Sequence, residues 1–262
     1  PVLRRMFLSV KRDGKLDFQT KPNERIAKRM ARAGLCSRRE AEQWIKQGRV
    51  LIDGCKISSP AQNVDDTSIV EVDGRRLSEN REIMLWRYHK PLGLIVTNND
   101  PEGRRTIFET LPKSMPRVIT IGRLDINSEG LLLLTNNGDI ARFMEHPSTG
   151  WIRRYRVRVN GKVSESKLMK LGQGITVSGV RYGPISACLD RKQGANAWIT
   201  IKLREGKNRE IRNVMEYLGY KVTRLIRVSH GPFQLGNLEK GEVVKVSQKM
   251  VKESFPNMFS KN

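Results

Sequence analysis

The 262-residue sequence predicts an α+β chain in two unequal parts, and three observations carry that reading. Two amphipathic helical segments followed by short strands fill residues 23–80, a small α/β unit. Beyond them strand patterns outnumber helical ones and alternate with Gly-containing turns, which argues for a mixed, mainly antiparallel sheet with flanking helices rather than a doubly wound fold. At the centre of that second part run four leucines, Leu131 to Leu134, too few to span a bilayer and read as a strand covered on both faces.

Residues 1–22 carry Arg4, Arg5, Lys11, Arg12, Lys15 and Lys21 with little apolar periodicity and are expected to form a flexible basic arm. From Asn23 onward, Ile26, Ala27, Met30 and Ala33 recur at helical spacing, Arg25, Lys28, Arg29 and Arg32 fall on another face, and Gly34 is placed to end the helix. Ser37 with Glu40 three residues later forms a capping box for a second helix, anchored by Trp44 and Ile45 and stopped by Gly48. Val50 to Ile52 before Asp53-Gly54, and Ile69 to Val72 before Asp73-Gly74, read as strands entering hairpin turns. Ser78 to Arg81 is the expected linker.

The larger unit, 81–248, opens with the apolar and aromatic stretch Ile83 to Tyr88. It then turns through His89-Lys90-Pro91-Leu92-Gly93 into a short strand, Leu94 to Thr97. Residues 98–116 are polar and Pro-rich, a long loop with one helical turn near Ile107 to Leu111, whose Arg104 and Arg105 are available to phosphates. After the leucines, Asp139 is placed to cap a helix holding Ile140, Phe143 and Met144, which His146-Pro147 closes. Tyr155, Val157 and Val159 alternate with Arg154, Arg156 and Arg158 as a half-buried strand. Ser164 to Leu171 reads as a helix; Ile175 to Val177, Ile185 to Leu189 and Trp198 to Leu203 as strands; Asn208 to Leu218 as a helix ended by Gly219. Val222 to Val228 and Glu242 to Val246 are late strands, and 249–262 is expected to be a loose tail.

Lysine and arginine total 49 against 27 acidic residues, a net charge of +22. Such self-repulsion is relieved by a polyanion, so nucleic acid is the leading partner class. No apolar run approaches the roughly 20 residues that cross a bilayer, which sets a membrane aside. The opening PVLRRMFLSVKRDGK has no extended apolar stretch and contains Asp13, arguing against a targeting leader. Three scattered cysteines, Cys36, Cys55 and Cys188, give no disulfide framework and point to a reducing, cytoplasmic setting.

Chemistry is narrowed by what is missing from the pattern. His89, His146 and His230 lack metal-ligand spacing, so neither a metal nor any other cofactor is expected. A phosphate-cradling loop ending in Lys-Ser or Lys-Thr and a Gly-x-Ser-x-Gly elbow are both absent. What remains is a carboxylate. Asp125 sits in GRLDINSEGLLLLTNNG, in a turn directly before the leucine strand. On spacing alone, a turn cap and a catalytic group are equally good readings of it.

RIAKRMARAGLCSRREAEQWIKQGRVLIDG resembles the S4 RNA-binding module over roughly Asn23 to Leu77, which implies an RNA anchor that reads backbone and shape through Arg25, Lys28, Arg29, Arg32, Arg38 and Arg39. Four further stretches cover most of Met84 to Val246. HKPLGLIVTNNDPEGRRTIFETLP, GRLDINSEGLLLLTNNG, WIRRYRVRV and EGKNREIRNVMEYLGYKVTRLIRVSHG resemble, in that order, the motifs of the RsuA/RluB/RluE/RluF family of bacterial rRNA pseudouridine synthases. The resemblance implies a pseudouridine-synthase domain with Asp125 as the catalytic aspartate, Tyr155 against the target uracil, Arg212 paired with the aspartate and Leu225 in the pocket wall. Arg153 stands where many relatives carry Lys. KNREIR, with Lys207 at its first position, points toward the RluB-type branch and so toward 23S rRNA or a large-subunit precursor.

The implied reaction makes physical sense. A stacked uridine must be flipped out at a cost of a few kcal/mol. Stacking on Tyr155 could return roughly 1–3 kcal/mol, while Arg123 fills the vacated gap or binds a flanking phosphate. The aspartate could attack the sugar, attack the base or take the ribose 2′ proton. A non-catalytic RNA-binding or assembly protein, an RNA hydrolase, and a small-subunit rRNA or tRNA synthase are the competing readings, and a monomer is the default.

Overall fold

The computed structural model describes residues 23–78 and 82–259. The expected basic arm, residues 79–81 of the linker and the last three residues lie outside it. In the first unit, β1 (Glu24–Arg25) leads into α1 (Ile26–Arg32), whose Ile26, Ala27 and Met30 point inward. Gly34, at φ +83°, lets the chain reverse. α2 (Arg38–Lys46) starts at the expected capping box: Glu40 N–H donates to Ser37 Oγ at 3.1 Å and Ser37 N–H to Glu40 Oε2 at 2.7 Å. β2 (Val50–Ile52) and β3 (Cys55–Lys56) meet at Asp53-Gly54; β4 (Asn63–Val64) pairs with β1; β5 (Val70–Val72) and β6 (Arg75–Arg76) meet at Asp73-Gly74. All four turn residues have positive φ, the geometry of a type I′ hairpin. The two helices and the sheet β3-β2-β5-β6 enclose a small core of Ile26, Met30, Ile45 and Val50.

The second unit is built on one nine-stranded sheet. Its elements in order are β7 (Leu85–Lys90), β8 (Ile119–Ile121), β9 (Glu129–Thr135), α3 (Gly138–Glu145), β10 (Arg153–Asn160) and α4 (Glu165–Lys170). The hairpin β11 (Ile175–Val177) and β12 (Val180–Tyr182) precedes β13 (Ser186–Gln193), β14 (Asn196–Leu203), α5 (Glu210–Tyr217) and β15 (Lys221–His230). The chain then completes the fold with β16 (Phe233–Gln234), β17 (Val243–Lys245) and α6 (Gln248–Ser254). The strand order is β13-β14-β10-β15-β9-β7-β17, with β16 on β15 and β8 on β9. Every pairing in this sheet is antiparallel except β9 with β15.

The leucine run forms most of β9, and every residue of that strand is buried. Leu132 and Leu134 enter a large core with α4 and α5; Leu131 and Leu133 enter a second core with α3 and α6. At its start β9 runs so close to β15 that a Cβ on Gly130 (φ +104°) would lie 2.3 Å from the Arg227 carbonyl oxygen. The two units touch where Lys28 Nζ on α1 meets Asp139 on α3 at 2.8 Å.

Several local expectations are corrected. Leu94 to Thr97 forms no strand, only a single bridge from Ile95 to Thr106, while the expected helical turn near Ile107 is a 3₁₀ turn at Phe108–Thr110. Asp139 does not cap α3: Asn137 does, accepting from the N–H groups of Asp139 and Ile140, which frees Asp139 to pair with Lys28. His89 and Lys90 belong to β7 rather than to the turn after it. Residues 249–259 of the expected tail are not loose, because Ser247 caps α6 and both Val251 and Phe255 are buried in the second core.

Candidate active site

Asp125 lies in the turn between β8 and β9. Gly122 N–H, just after β8, donates to Glu145 Oε1 on α3 at 2.7 Å; Arg123 is exposed, Leu124 buried and Asp125 half-buried. Ser128 N–H closes the turn onto the Asp125 carbonyl at 3.0 Å. The next three carbonyls are each held from a different direction. Ile126 O accepts from Gly93 N–H at 2.9 Å, Asn127 O from the Arg212 guanidinium on α5, and Ser128 O from Lys90 Nζ at 2.9 Å. The turn is thus fixed by its backbone. Among the described residues the Asp125 carboxylate has no hydrogen-bond or ion-pair partner, which leaves its oxygens open to a ligand.

Two cations flank it. Lys90 is fully buried at the end of β7, and its Nζ also donates to Pro91 O at 3.0 Å. Burial pushes its pKa down to about 8, against the pull of Asp125 and Glu129. Arg212 is half-buried; burial and Arg209 lower its pKa, with Asp125 opposing. The expected Asp125–Arg212 ion pair is not formed. The guanidinium is spent on Asn127 O, and its charge reaches the carboxylate only through space.

The wall of the site comes from neighbouring strands. On β10 and β15, Val157 faces Leu225 and Tyr155 faces Arg227, with an irregularity beside Tyr155. Tyr155 and Leu225 are buried in the same core as Leu124, the residue before the aspartate. Tyr155 and Leu225 thus share a core with the residue before Asp125, Arg212 holds the carbonyl two residues after it, and Arg123 is exposed.

The expected phosphate-binding residues divide. Arg38 and Arg39 on α2 are exposed and unpaired among the described residues. Arg29 does not face solvent: it is 7% exposed and its guanidinium donates to Asp65 O. Arg25 donates to Ala61 O, Arg32 pairs with Glu24 and Lys28 with Asp139, so this side of α1 braces the unit against its own loop and the second unit. Arg104 is chelated by Asp100 and Glu102, whereas Arg105 is exposed.

Three charged residues escape a sequence reading. Lys90 had a signal, since it continues the alternation of Trp86 and Tyr88 on the inward face of β7. Glu129 is fully buried; burial raises its pKa, but Arg224, bonded to it, and Lys240 outweigh that and hold it below the usual range. Glu210, buried at the start of α5, is pushed up to about 7 by burial and by the neighbouring Glu205 carboxylate, against the Lys207 N–H that donates to it.

A carboxylate on a rigid turn, two cations beside it and an aromatic wall define a site for isomerising or transferring a group on an anionic, planar substrate. Comparison with known proteins narrows this. Residues 85–217 match the RNA pseudouridylate synthase family model, and residues 24–70 match that of the S4 domain. An uncharacterized RNA pseudouridine synthase of Rickettsia felis is 46% identical over 230 residues, 88% of this chain and 100% of its own. The ribosomal large subunit pseudouridine synthase B of Yersinia pestis is 40% identical over 225 residues, 83% of this chain and 70% of its own. A solved structure of a pseudouridylate synthase shares the fold, with a TM-score of 0.61 at 24% identity over 87% of this chain and 98% of that one. The chain belongs to the RNA pseudouridylate synthase family and carries an S4 domain at its N-terminal side.

Proposed function

We propose that this enzyme converts one uridine of 23S rRNA, in a large-subunit precursor, to pseudouridine, with Asp125 as the catalytic residue. The observation that carries this reading is the unpartnered Asp125 carboxylate on a turn whose three following carbonyls are tied down. A protein that only binds RNA gains nothing from a bare carboxylate in a basic cleft. Positioning of this kind removes the orientational cost of the reaction.

The target uridine is flipped out, its base stacks on Tyr155 against Leu225, and Arg123 reaches the flanking backbone or the vacated gap. Lys90 and Arg212 stabilise negative charge at Asp125 and on the uracil as it departs. The N1–C1′ bond breaks, the uracil rotates in place, C5 bonds to C1′, the C5 proton is lost and N1 gains one. No cofactor takes part. The first unit, bounded near residue 80, anchors RNA through the exposed Arg38 and Arg39, with Arg105 adding a contact beside the site. Free cysteines at 36, 55 and 188 accord with a cytoplasmic enzyme, acting as a monomer.

Mapping pseudouridines by chemical labelling in rRNA from cells with and without this chain tests the assignment. Loss of one large-subunit site that returns with the wild-type chain and not with Asp125→Asn is the expected result. An unchanged map would favour an assembly protein, and loss of a small-subunit or tRNA site would move the target.

A further inference from the structure

The cores described above cover both faces of β7 and β9 but only one face of β10, β14 and β13. Val157 of β10 and Ile199 and Ile201 of β14 point into the first core, Ala187 and Leu189 of β13 pack against it, and no residue of the second core lies on these strands. The opposite face is open and strongly basic. It carries Arg154, Arg156 and Arg158 from β10, Lys202 and Trp198 from β14, and Arg191 from β13. Arg154 stands directly opposite Lys202, and Arg158 directly opposite Arg224 of β15. Like charges facing each other across strands destabilise a sheet.

Little on the protein offsets this. Asp190 meets only Arg156, at 3.6 Å, and Glu129 takes up Arg224. Arg154, Arg158, Arg191 and Lys202 have no carboxylate within 4 Å among the described residues. Arg156 also lies over the Trp198 ring at 4.9 Å and Arg154 donates to Gln234 Oε1 at 3.0 Å, contacts that hold these two side chains in place. Alternate residues of a strand are spaced by about 6–7 Å, of the order of the distance between successive phosphates along a nucleic-acid strand.

The geometry points to a second RNA-contact face here, on the side of the sheet away from the core that holds Tyr155 and Leu225. Its occupant is the sugar-phosphate backbone of another segment of the RNA that carries the target, held by charge and without base reading. This rests on the reading of the chain as an RNA enzyme, and it extends the footprint beyond the S4 domain and the uridine pocket. A substrate too short to reach around the sheet edge would not engage this face.

The test is filter binding of the full chain to transcribed 23S rRNA across a salt series. R158Q/R191Q/K202Q should lower the slope of log affinity against log salt by about 2, given roughly 0.7–0.9 for each phosphate that is no longer neutralised. In the wild-type protein, saturating rRNA should shield Lys202 from amine acetylation read by mass spectrometry. An unchanged slope together with an unshielded Lys202 would overturn the inference. R38Q/R39Q serves as the comparison: if it lowers the slope and the sheet variant does not, only the sheet face fails. If neither variant moves the slope, the RNA-anchoring reading fails with it. Binding is read without turnover, so a fault in the catalytic assignment leaves both arms intact.

Discussion

Replacing Lys90 with methionine separates positioning from stability. The side chains are similar in length, so the cavity is refilled, but the charge and two hydrogen bonds disappear. Burial has brought the Lys90 pKa from the ordinary 10.5 to about 8, so carrying its proton at pH 7 costs about 3 kcal/mol. Methionine removes that cost. Against it stand the Pro91 and Ser128 carbonyls, left without their donor at roughly 1–3 kcal/mol each. The two effects nearly cancel, and the variant should melt within a few degrees of wild type. Activity should not survive in the same way. The turn after Asp125 loses one of its three ties and the aspartate loses a buried cation that acts on it through space, a displacement and a charge loss together worth about 100-fold in kcat. Release of tritium from RNA labelled at uridine C5 reads the rate directly, because that hydrogen leaves as C5 bonds to C1′. The pH profile gives an independent readout. The folded protein sheds the Lys90 proton first, so the unfolded chain binds more protons between about pH 8 and 10.5, and wild-type stability rises with pH across that window. Wild-type activity should fall above about pH 8 as the cation is lost. Both trends should vanish in the variant. A variant that turns over within threefold of wild type and keeps the same profile would refute the positioning role.

Other outcomes follow from single contacts. Asp125→Asn should abolish tritium release while leaving RNA affinity within about twofold, which filter binding checks. Gly130→Ala should destabilise the protein by about 3 kcal/mol or more, because the added Cβ meets the Arg227 backbone at positive φ, and a urea melt would show it. Glu210→Gln should flatten stability between pH 4.5 and 7. There the raised pKa makes the folded state bind more protons, so wild-type stability falls as pH rises, and melts at several pH values test it. Phe255→Ala should cost about 3–5 kcal/mol in the same urea assay, since its ring packs among Phe143, Trp151 and Phe233.

What could be read from the sequence was local. The Ser37–Glu40 box, the Asp-Gly turns, the buried leucine strand and the alternation of β10 each depend on residues close in the chain, where spacing and conformational preference decide. The failures involve remote partners. Arg29 turns inward because the Asp65 carbonyl is there to receive it, and α6 is held by aromatic rings more than a hundred residues distant in sequence. At α3 two candidate oxygens two residues apart competed for the cap, and only the path of the chain settled it for Asn137. For the active site, the turn and its aspartate were visible, but the donors that hold the turn were not. Lys90 and Gly93 come from the end of β7 and the turn after it and Arg212 from α5, far off in sequence, and the reach of Arg212 to a carbonyl instead of a carboxylate is a matter of a few ångströms.

The leucine strand touches both cores, which has a consequence for how the molecule comes apart. Because Leu131 and Leu133 belong to one hydrophobic mass and Leu132 and Leu134 to the other, neither half can melt while its neighbour stays intact. The backbone amides of this strand should exchange with deuterium only when the whole sheet opens, at the slowest rate in the chain. The aspartate four residues before the strand inherits that permanence, so in the role proposed for it the carboxylate would not have to find its place anew at each turnover.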